Sequence, residues 1–361
     1  MKANAILRNL GQSIWLDNIT RALLTSGTLR RYIDELSVTG LTSNPTIFDN
    51  AIKKSADYDD VIRQGLDSGE SEEELFFTLA LDDLTRAADL FRPIFDRTSG
   101  VDGFVSLEVS PLLAYDTARS IAAARDLHRR AQRPNLLIKI PGTREGLPAI
   151  EEAIFAGIPV NVTLLFSREQ YLAAADAYMR GVERRIEAGL DPAVASVASL
   201  FISRWDVAVA GKVPEPLRDK LGIAIAGRTF KASRELLVSP RWLRAYNFGA
   251  RPQRLLWAST GTKDPRASDV LYVKALAAPF TVNTIPEPTL HALADHGEVG
   301  PPLAPDGGDC EQVLAQFRSA GIDVDALAEQ LQKEGAEAFV KSWNDLMECI
   351  ASKRSQLRKA G

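Results

Sequence analysis

Eight short apolar runs, each bounded by turn-forming residues and followed by a stretch with helical periodicity, constrain this chain more than any other feature. The runs lie at 13–17, 38–43, 104–109, 136–143, 160–166, 196–202, 254–259 and 279–284. Helical patterns fall at 28–35, within 51–97, at 115–131, 145–155 and 168–188, and between 216 and 237. Strands that alternate with helices predict an α/β fold with a parallel sheet. Eight repeats favour closure into a (β/α)8 TIM barrel over an open doubly wound sheet. No Gly-x-Gly-x-x-Gly follows the first run, which weakens a dinucleotide site further.

The stretch 286–308 is rich in proline and glycine and reads as a long loop. Beyond it, 309–359 is amphipathic, with Leu314, Phe317, Leu327, Leu331, Phe339, Trp343 and Leu346 expected as packing residues. No other linker interrupts the pattern. The expected organisation is one domain, 1–361, in which 309–361 forms a helical C-terminal extension packed on the barrel.

Composition narrows the function classes. With 43 basic and 47 acidic residues among 361, the chain has no basic excess for nucleic acid or a membrane surface, so any anion must be bound locally. Cys310 and Cys349 are the only cysteines, too few for a disulfide framework or a cysteine-rich metal site. The N-terminal residues lack a secretory pattern, and no run is long enough to span a bilayer. A cytoplasmic location is expected. A monomer and a homodimer fit the sequence equally.

Within the fourth run, Leu136-Leu137-Ile138-Lys139-Ile140-Pro141, one lysine interrupts an apolar strand. It could snorkel to solvent, or it could be an amine that burial keeps neutral for attack on a carbonyl. In a barrel the carboxyl ends of the strands build the site. Those ends supply Asp17, Asn44, Glu108, Lys139, Asn161 with Thr163, Ser199 with Arg204, and Ser259 with Lys263. Asp17 and Asn44 could each merely cap a helix or close a turn. Glu108 among apolar and β-branched residues calls for a partner, and Lys139 is one, as a structural ion pair or as part of a reactive site. Asn161 and Thr163 share one strand face, the inner one if helices cover the outside.

Arg204 after the sixth run, and the hydroxyls and Lys263 of Ser259-Thr260-Gly261-Thr262-Lys263 after the seventh, suit a phosphate group. The three histidines offer no metal site: His128 falls mid-helix, and His291 and His296 fall in the stretch taken as loop, as surface residues. No Gly-x-Ser-x-Gly element is present.

These residues resemble the transaldolases. The similarity runs through Ile14-Trp15-Leu16-Asp17, Gly40-Leu41-Thr42-Ser43-Asn44-Pro45-Thr46, Leu137-Ile138-Lys139-Ile140-Pro141-Gly142-Thr143, Asn161-Val162-Thr163-Leu164-Leu165-Phe166-Ser167 and Trp257-Ala258-Ser259-Thr260-Gly261-Thr262-Lys263. The length and the last motif look like the branch found in actinobacteria and related groups.

The resemblance implies Lys139 as the Schiff-base lysine, Asp17 as the acid/base carboxylate, and Glu108 with Thr163 as the pair that positions a catalytic water. It implies Asn44 and Asn161 on substrate hydroxyls, Ser199 and Arg204 on phosphate, and Ser259 or Lys263 as a second phosphate contact. Ile202-Ser203 replaces the family's usual glycine-bearing step before the arginine, and Lys263 comes later than the arginine of many relatives. Glu108 is expected to act through water, since a tight pair would favour the ammonium form of Lys139.

The implied reaction moves a dihydroxyacetone unit from sedoheptulose 7-phosphate to glyceraldehyde 3-phosphate, with no cofactor. One rival is a fructose 6-phosphate aldolase, whose smaller members place tyrosine and glutamine where Phe201 and Glu108 stand here. Another is a silent barrel that serves as a scaffold.

Overall fold

The computed structural model describes residues 2–65 and 69–360. Its strands are β1 (Ser13–Leu16), β2 (Val38–Leu41), β3 (Val105–Glu108), β4 (Leu136–Pro141), β5 (Val160–Leu165), β6 (Ser196–Phe201), β7 (Arg254–Ala258) and β8 (Val282–Ile285). They close in sequence order into a barrel, with every neighbouring pair parallel and β1 paired to β8. The fold is the (β/α)8 barrel that the repeated pattern predicts.

The physical cause is visible in β4, β5 and β6, where every residue is buried. Side chains on one face fill the barrel and those on the other meet the helices, so these strands are mostly apolar, with Lys139, Asn161, Thr163, Ser196 and Ser199 as the polar exceptions. Polar residues inside are therefore costly and confined to particular places. Register sets those places: Glu108 of β3 stands beside Lys139 of β4, and Lys139 beside Asn161 of β5.

Helix starts account for several turn residues. Asn44 caps the helix Pro45–Lys54 by accepting from the Ile47 amide at 3.1 Å, with Pro45 in the first turn. Ser167 and Gln170 form a capping box on the helix Arg168–Glu187.

The structure adds elements to the sequence reading, among them short helices at Arg21–Thr25, Ser203–Val209, Pro240–Asn247 and Leu271–Ala275. A helix, Ala3–Leu10, precedes β1. The stretch 51–97 resolves into helices Asp59–Gln64 and Glu72–Arg97 after the end of Pro45–Lys54, while residues 66–68 lie outside the described residues. The stretch 286–308 is not all loop: Glu287–Asp295 is helical, because Pro286 and Pro288 sit at its start, where a missing N–H costs nothing. His291 thus lies on a helix and meets the Tyr32 hydroxyl at 2.9 Å.

The C-terminal stretch forms helices Cys310–Ser319 and Val324–Ala360. The second, about 55 Å long at 1.5 Å per residue, packs on the helix Pro45–Lys54 and on β5. Its buried face includes Leu331, Phe339, Trp343, Leu346 and Ile350. Trp343 meets Phe76 edge to face, ring centroids 5.1 Å apart, a contact worth about 0.5–1.5 kcal/mol beyond its buried area. Gln332 donates to the carbonyls of Gly142 and Leu164 at 3.1 and 2.9 Å, tying this helix to the ends of β4 and β5. Among the described residues no helix is long and apolar enough to cross a membrane.

Candidate active site

Lys139 points into the barrel and is 5% exposed. Its Nζ lies 3.2 Å from Oε2 of Glu108 and donates to the Ser43 carbonyl at 3.3 Å. Glu108 is 4% exposed, and neither of its oxygens receives a well-directed hydrogen bond among the described residues. Burial pushes the Glu108 carboxyl above the ordinary carboxylate value, and Lys139 pulls it back down. The direct contact differs from the expectation that Glu108 would stand off and act only through water. Register explains it: the two residues are neighbours across a parallel ladder.

Asp17 follows β1 at the cavity wall. Enclosure pushes its carboxyl up, while Lys139, a hydrogen bond from Thr42 and Lys263 oppose that rise. Thr42 Oγ1 donates to Asp17 Oδ1 at 2.8 Å and lies 2.6 Å from Thr284 Oγ1. A hydroxyl has one proton, so with Thr42 donating to Asp17, Thr284 donates to Thr42. These two threonines fix the carboxylate's orientation.

Asn161 lies deeper. Its Nδ2 donates to Ser106 Oγ at 3.0 Å, and its Oδ1 accepts from Ser199 Oγ at 2.7 Å. Thr163 Oγ1 is buried without a hydrogen-bond partner among the described residues. The next residue, Leu164, has φ of +59°, and the pairing of β5 with β6 shifts register between Val162 and Leu165. That irregularity interrupts the ladder at Thr163 and Leu164 before pairing resumes at Leu165. Ser259 likewise follows its strand in a left-handed conformation, φ +56°. Both are non-glycine residues held where the backbone is strained, as happens at functional sites.

The cavity above Lys139 has a volume of about 270 Å³. It brings together Asp17, Asn44, Lys139, Thr163, Ser199, Arg204, Ser259 and Lys263, with Glu108 and Asn161 in contact from below. Every site residue expected from the sequence is thus in one place. The Arg204 guanidinium carbon lies 5.3 Å from the Phe201 ring centre and 5.9 Å from that of Phe339. Neither Arg204 nor Lys263 forms an ion pair among the described residues. A larger cavity of about 440 Å³ shares Lys263 but lies outside the barrel, and its Arg218 is already paired with Asp264 at 2.5 Å. The first cavity places the buried Lys139 amine together with the Asp17 carboxylate and the cations Arg204 and Lys263.

A family model described as Transaldolase/Fructose-6-phosphate aldolase matches residues 14–350. The chain belongs to this family. The chain is similar to a protein named Transaldolase from Saccharopolyspora erythraea, 44% identical, the match covering 98% of this chain and 97% of the relative. Proteins of the same name from Thermobifida fusca and Trichodesmium erythraeum are 45% and 40% identical, covering 96% and 97% of this chain and of each relative alike.

Family membership does not by itself reveal three contributors that the strand-end reading missed. Thr42 and Thr284 are short polar residues in ordinary strand-end sequence, and only the barrel's closure brings β2 and β8 to either side of Asp17. Helical periodicity marks Phe339 only as a packing residue, because it cannot separate a face on the core from a face on a cavity.

Proposed function

We propose that this chain is a transaldolase, a transferase that carries a three-carbon ketose unit on Lys139 between phosphorylated sugars. The observation that carries this reading is Lys139 itself: an amine buried in the barrel beside Glu108, under a cavity whose far wall holds the unpaired Arg204. The relatives' shared name agrees with it.

In the proposed cycle the neutral amine attacks C2 of the open-chain ketose, and uptake of a proton with loss of water gives a protonated imine. Glu108, beside the amine, and Thr163, whose buried hydroxyl oxygen has no hydrogen-bond partner among the described residues, hold the water and proton that this step exchanges. Asp17 then takes the proton of the C4 hydroxyl. The C4 oxygen becomes an aldehyde, the C3–C4 bond breaks, and its electron pair moves into the imine to give an enamine. An acceptor aldehyde reverses these steps with a new partner. Asn44 and Asn161 orient hydroxyls, and Ser199 with Arg204 takes the phosphate, with Ser259 or Lys263 beside them. Sedoheptulose 7-phosphate and glyceraldehyde 3-phosphate are the proposed donor and acceptor. We place the reaction in the cytoplasm, in one domain with 309–361 packed on the barrel, and route no step through a cofactor.

Borohydride reduction in the presence of fructose 6-phosphate, followed by peptide mass analysis, is the test. The expected result is an adduct on the Lys139 peptide that Lys139→Ala abolishes, together with transfer to erythrose 4-phosphate. No adduct overturns the Schiff-base reading, and release of dihydroxyacetone as fast as transfer replaces transferase by aldolase.

A further inference from the structure

One wall of the catalytic cavity does not come from the barrel. Phe339, on the helix Val324–Ala360, lines the cavity and is 6% exposed. Its ring centre lies 5.7 Å from Lys139 Nζ and 5.9 Å from the Arg204 guanidinium carbon. The ring therefore flanks both the amine that would hold the three-carbon unit and the cation that would hold the departing phosphate.

The helix is held in place on both sides of that ring. Gln332 bonds to Gly142 and Leu164, while Ser342 accepts from Thr46 at 2.8 Å. Between them Gly335 lets the helix come close: a Cβ there would stand 3.0 Å from Leu164 and 3.3 Å from the Arg204 guanidinium. Glycine inside a helix costs about 1 kcal/mol relative to alanine, which here is spent on close approach.

This arrangement bears on a chemical problem that the proposed function creates. After the aldehyde half leaves, the enamine on Lys139 has a competing fate. Its C3 takes a proton to give an imine, water adds across the C=N bond, and the C–N bond breaks to return the amine and free dihydroxyacetone. No oxidant or reductant is needed, only a proton and a water. The departing half vacates the space between Lys139 and Arg204, and one face of that space is the Phe339 ring.

We infer that Phe339 is a positioning residue that keeps water from the Lys139-bound unit, so that the unit is transferred rather than released. The inference rests on the transaldolase reading and goes beyond it by assigning the balance between transfer and release to a residue outside the barrel. An apolar ring offers water no hydrogen bond and strengthens the electrostatics of the site behind it.

The test compares the full-length chain with Phe339→Ala and Phe339→Leu, the second filling most of the ring's volume so that a folded variant is available. Fructose 6-phosphate alone is supplied, and free dihydroxyacetone is followed over time. Transfer to erythrose 4-phosphate is measured in parallel. The expected result is a severalfold rise in the ratio of release to transfer for Phe339→Ala and a smaller rise for Phe339→Leu, with borohydride trapping on Lys139 retained. An unchanged ratio in either folded variant overturns the inference while the function stands. A wild-type chain that neither traps substrate nor transfers overturns the function itself. Packing loss alone would lower both rates together and leave the ratio fixed, which counts against the inference.

Discussion

Nζ of Lys139 lies 3.2 Å from Oε2 of Glu108, with both side chains almost wholly buried. Two opposite charges there would stabilise the ammonium form and oppose attack on a carbonyl. Burial pushes the Glu108 carboxyl up, against the opposing pull of Lys139, and so disfavours the carboxylate that would hold such a charge pair. Glu108→Gln keeps the size and removes the proton acceptor. Its expected effect is a fall in kcat of about 10²- to 10⁴-fold, the usual range for a general acid or base. The Lys139 adduct should still form under borohydride. Steady-state kinetics with peptide mass analysis check both halves, and an unchanged kcat removes Glu108 from the proton path.

Asp17 can act as a base only when ionised, and its carboxyl is raised by enclosure from the ordinary value of 3.8. The acid limb of the pH–rate profile should therefore lie above the usual carboxylate range. Thr42 donates to the carboxylate at 2.8 Å and so favours its charged form. Thr42→Val removes that donor, raises the pKa further and moves the acid limb to higher pH by about one unit, given roughly 1.5 kcal/mol for a hydrogen bond to a charged group. A profile of kcat/KM against pH reads this directly. A limb that stays in place or moves to lower pH would show that another group governs it.

Arg204 carries a charge within cation–π distance of both the Phe201 and Phe339 rings. Burial lowers its pKa, so its desolvated charge is available to an anion. Arg204→Ala should raise KM for fructose 6-phosphate by about tenfold or more, from the 1.5–3 kcal/mol of a charged hydrogen bond. The turnover of unphosphorylated fructose should change far less. Arg204→Lys should restore only part of the binding, since an ammonium cannot stack or form a planar fork. Equal losses for both sugars would move the phosphate elsewhere.

How much of this was legible in the residues follows from what each signal reports. The barrel was, because fully buried strands leave short, predominantly apolar runs such as β4, β5 and β6, separated by stretches of helical periodicity. Lys139 and Glu108 were, because a charge inside such a run is anomalous wherever it points. Thr42 and Thr284 were not: a threonine in a strand is ordinary, and their meeting across 242 residues depends on closure of β8 onto β1. The helix Glu287–Asp295 was hidden by the two prolines that start it. Phe339 was seen as apolar but not as part of the site, because its place above Lys139 depends on where Gln332 and Gly335 anchor the helix.

Asp206 gives a test of stability that is independent of catalysis. The residue is 6% exposed, and its carboxylate accepts from the Leu221 amide at 2.9 Å and the Tyr272 hydroxyl at 2.8 Å. Burial nevertheless outweighs these donors and raises its pKa to about 6. In the unfolded chain it titrates near 3.9. Between these values the folded state binds the proton more tightly than the unfolded one, so this group's contribution to stability falls as pH rises through the window and levels off above it. Asp206→Asn removes the titration and keeps an oxygen for Leu221, while the Tyr272 hydroxyl turns to accept. Relative to the wild type, the variant should gain about 2–3 kcal/mol between pH 4 and pH 7, following 1.36 kcal/mol per pKa unit. Urea unfolding at a series of pH values measures the difference. A difference that is flat with pH would mean that Asp206 stays ionised throughout, held by Tyr272 and the start of the helix Leu221–Leu237 more strongly than its burial opposes.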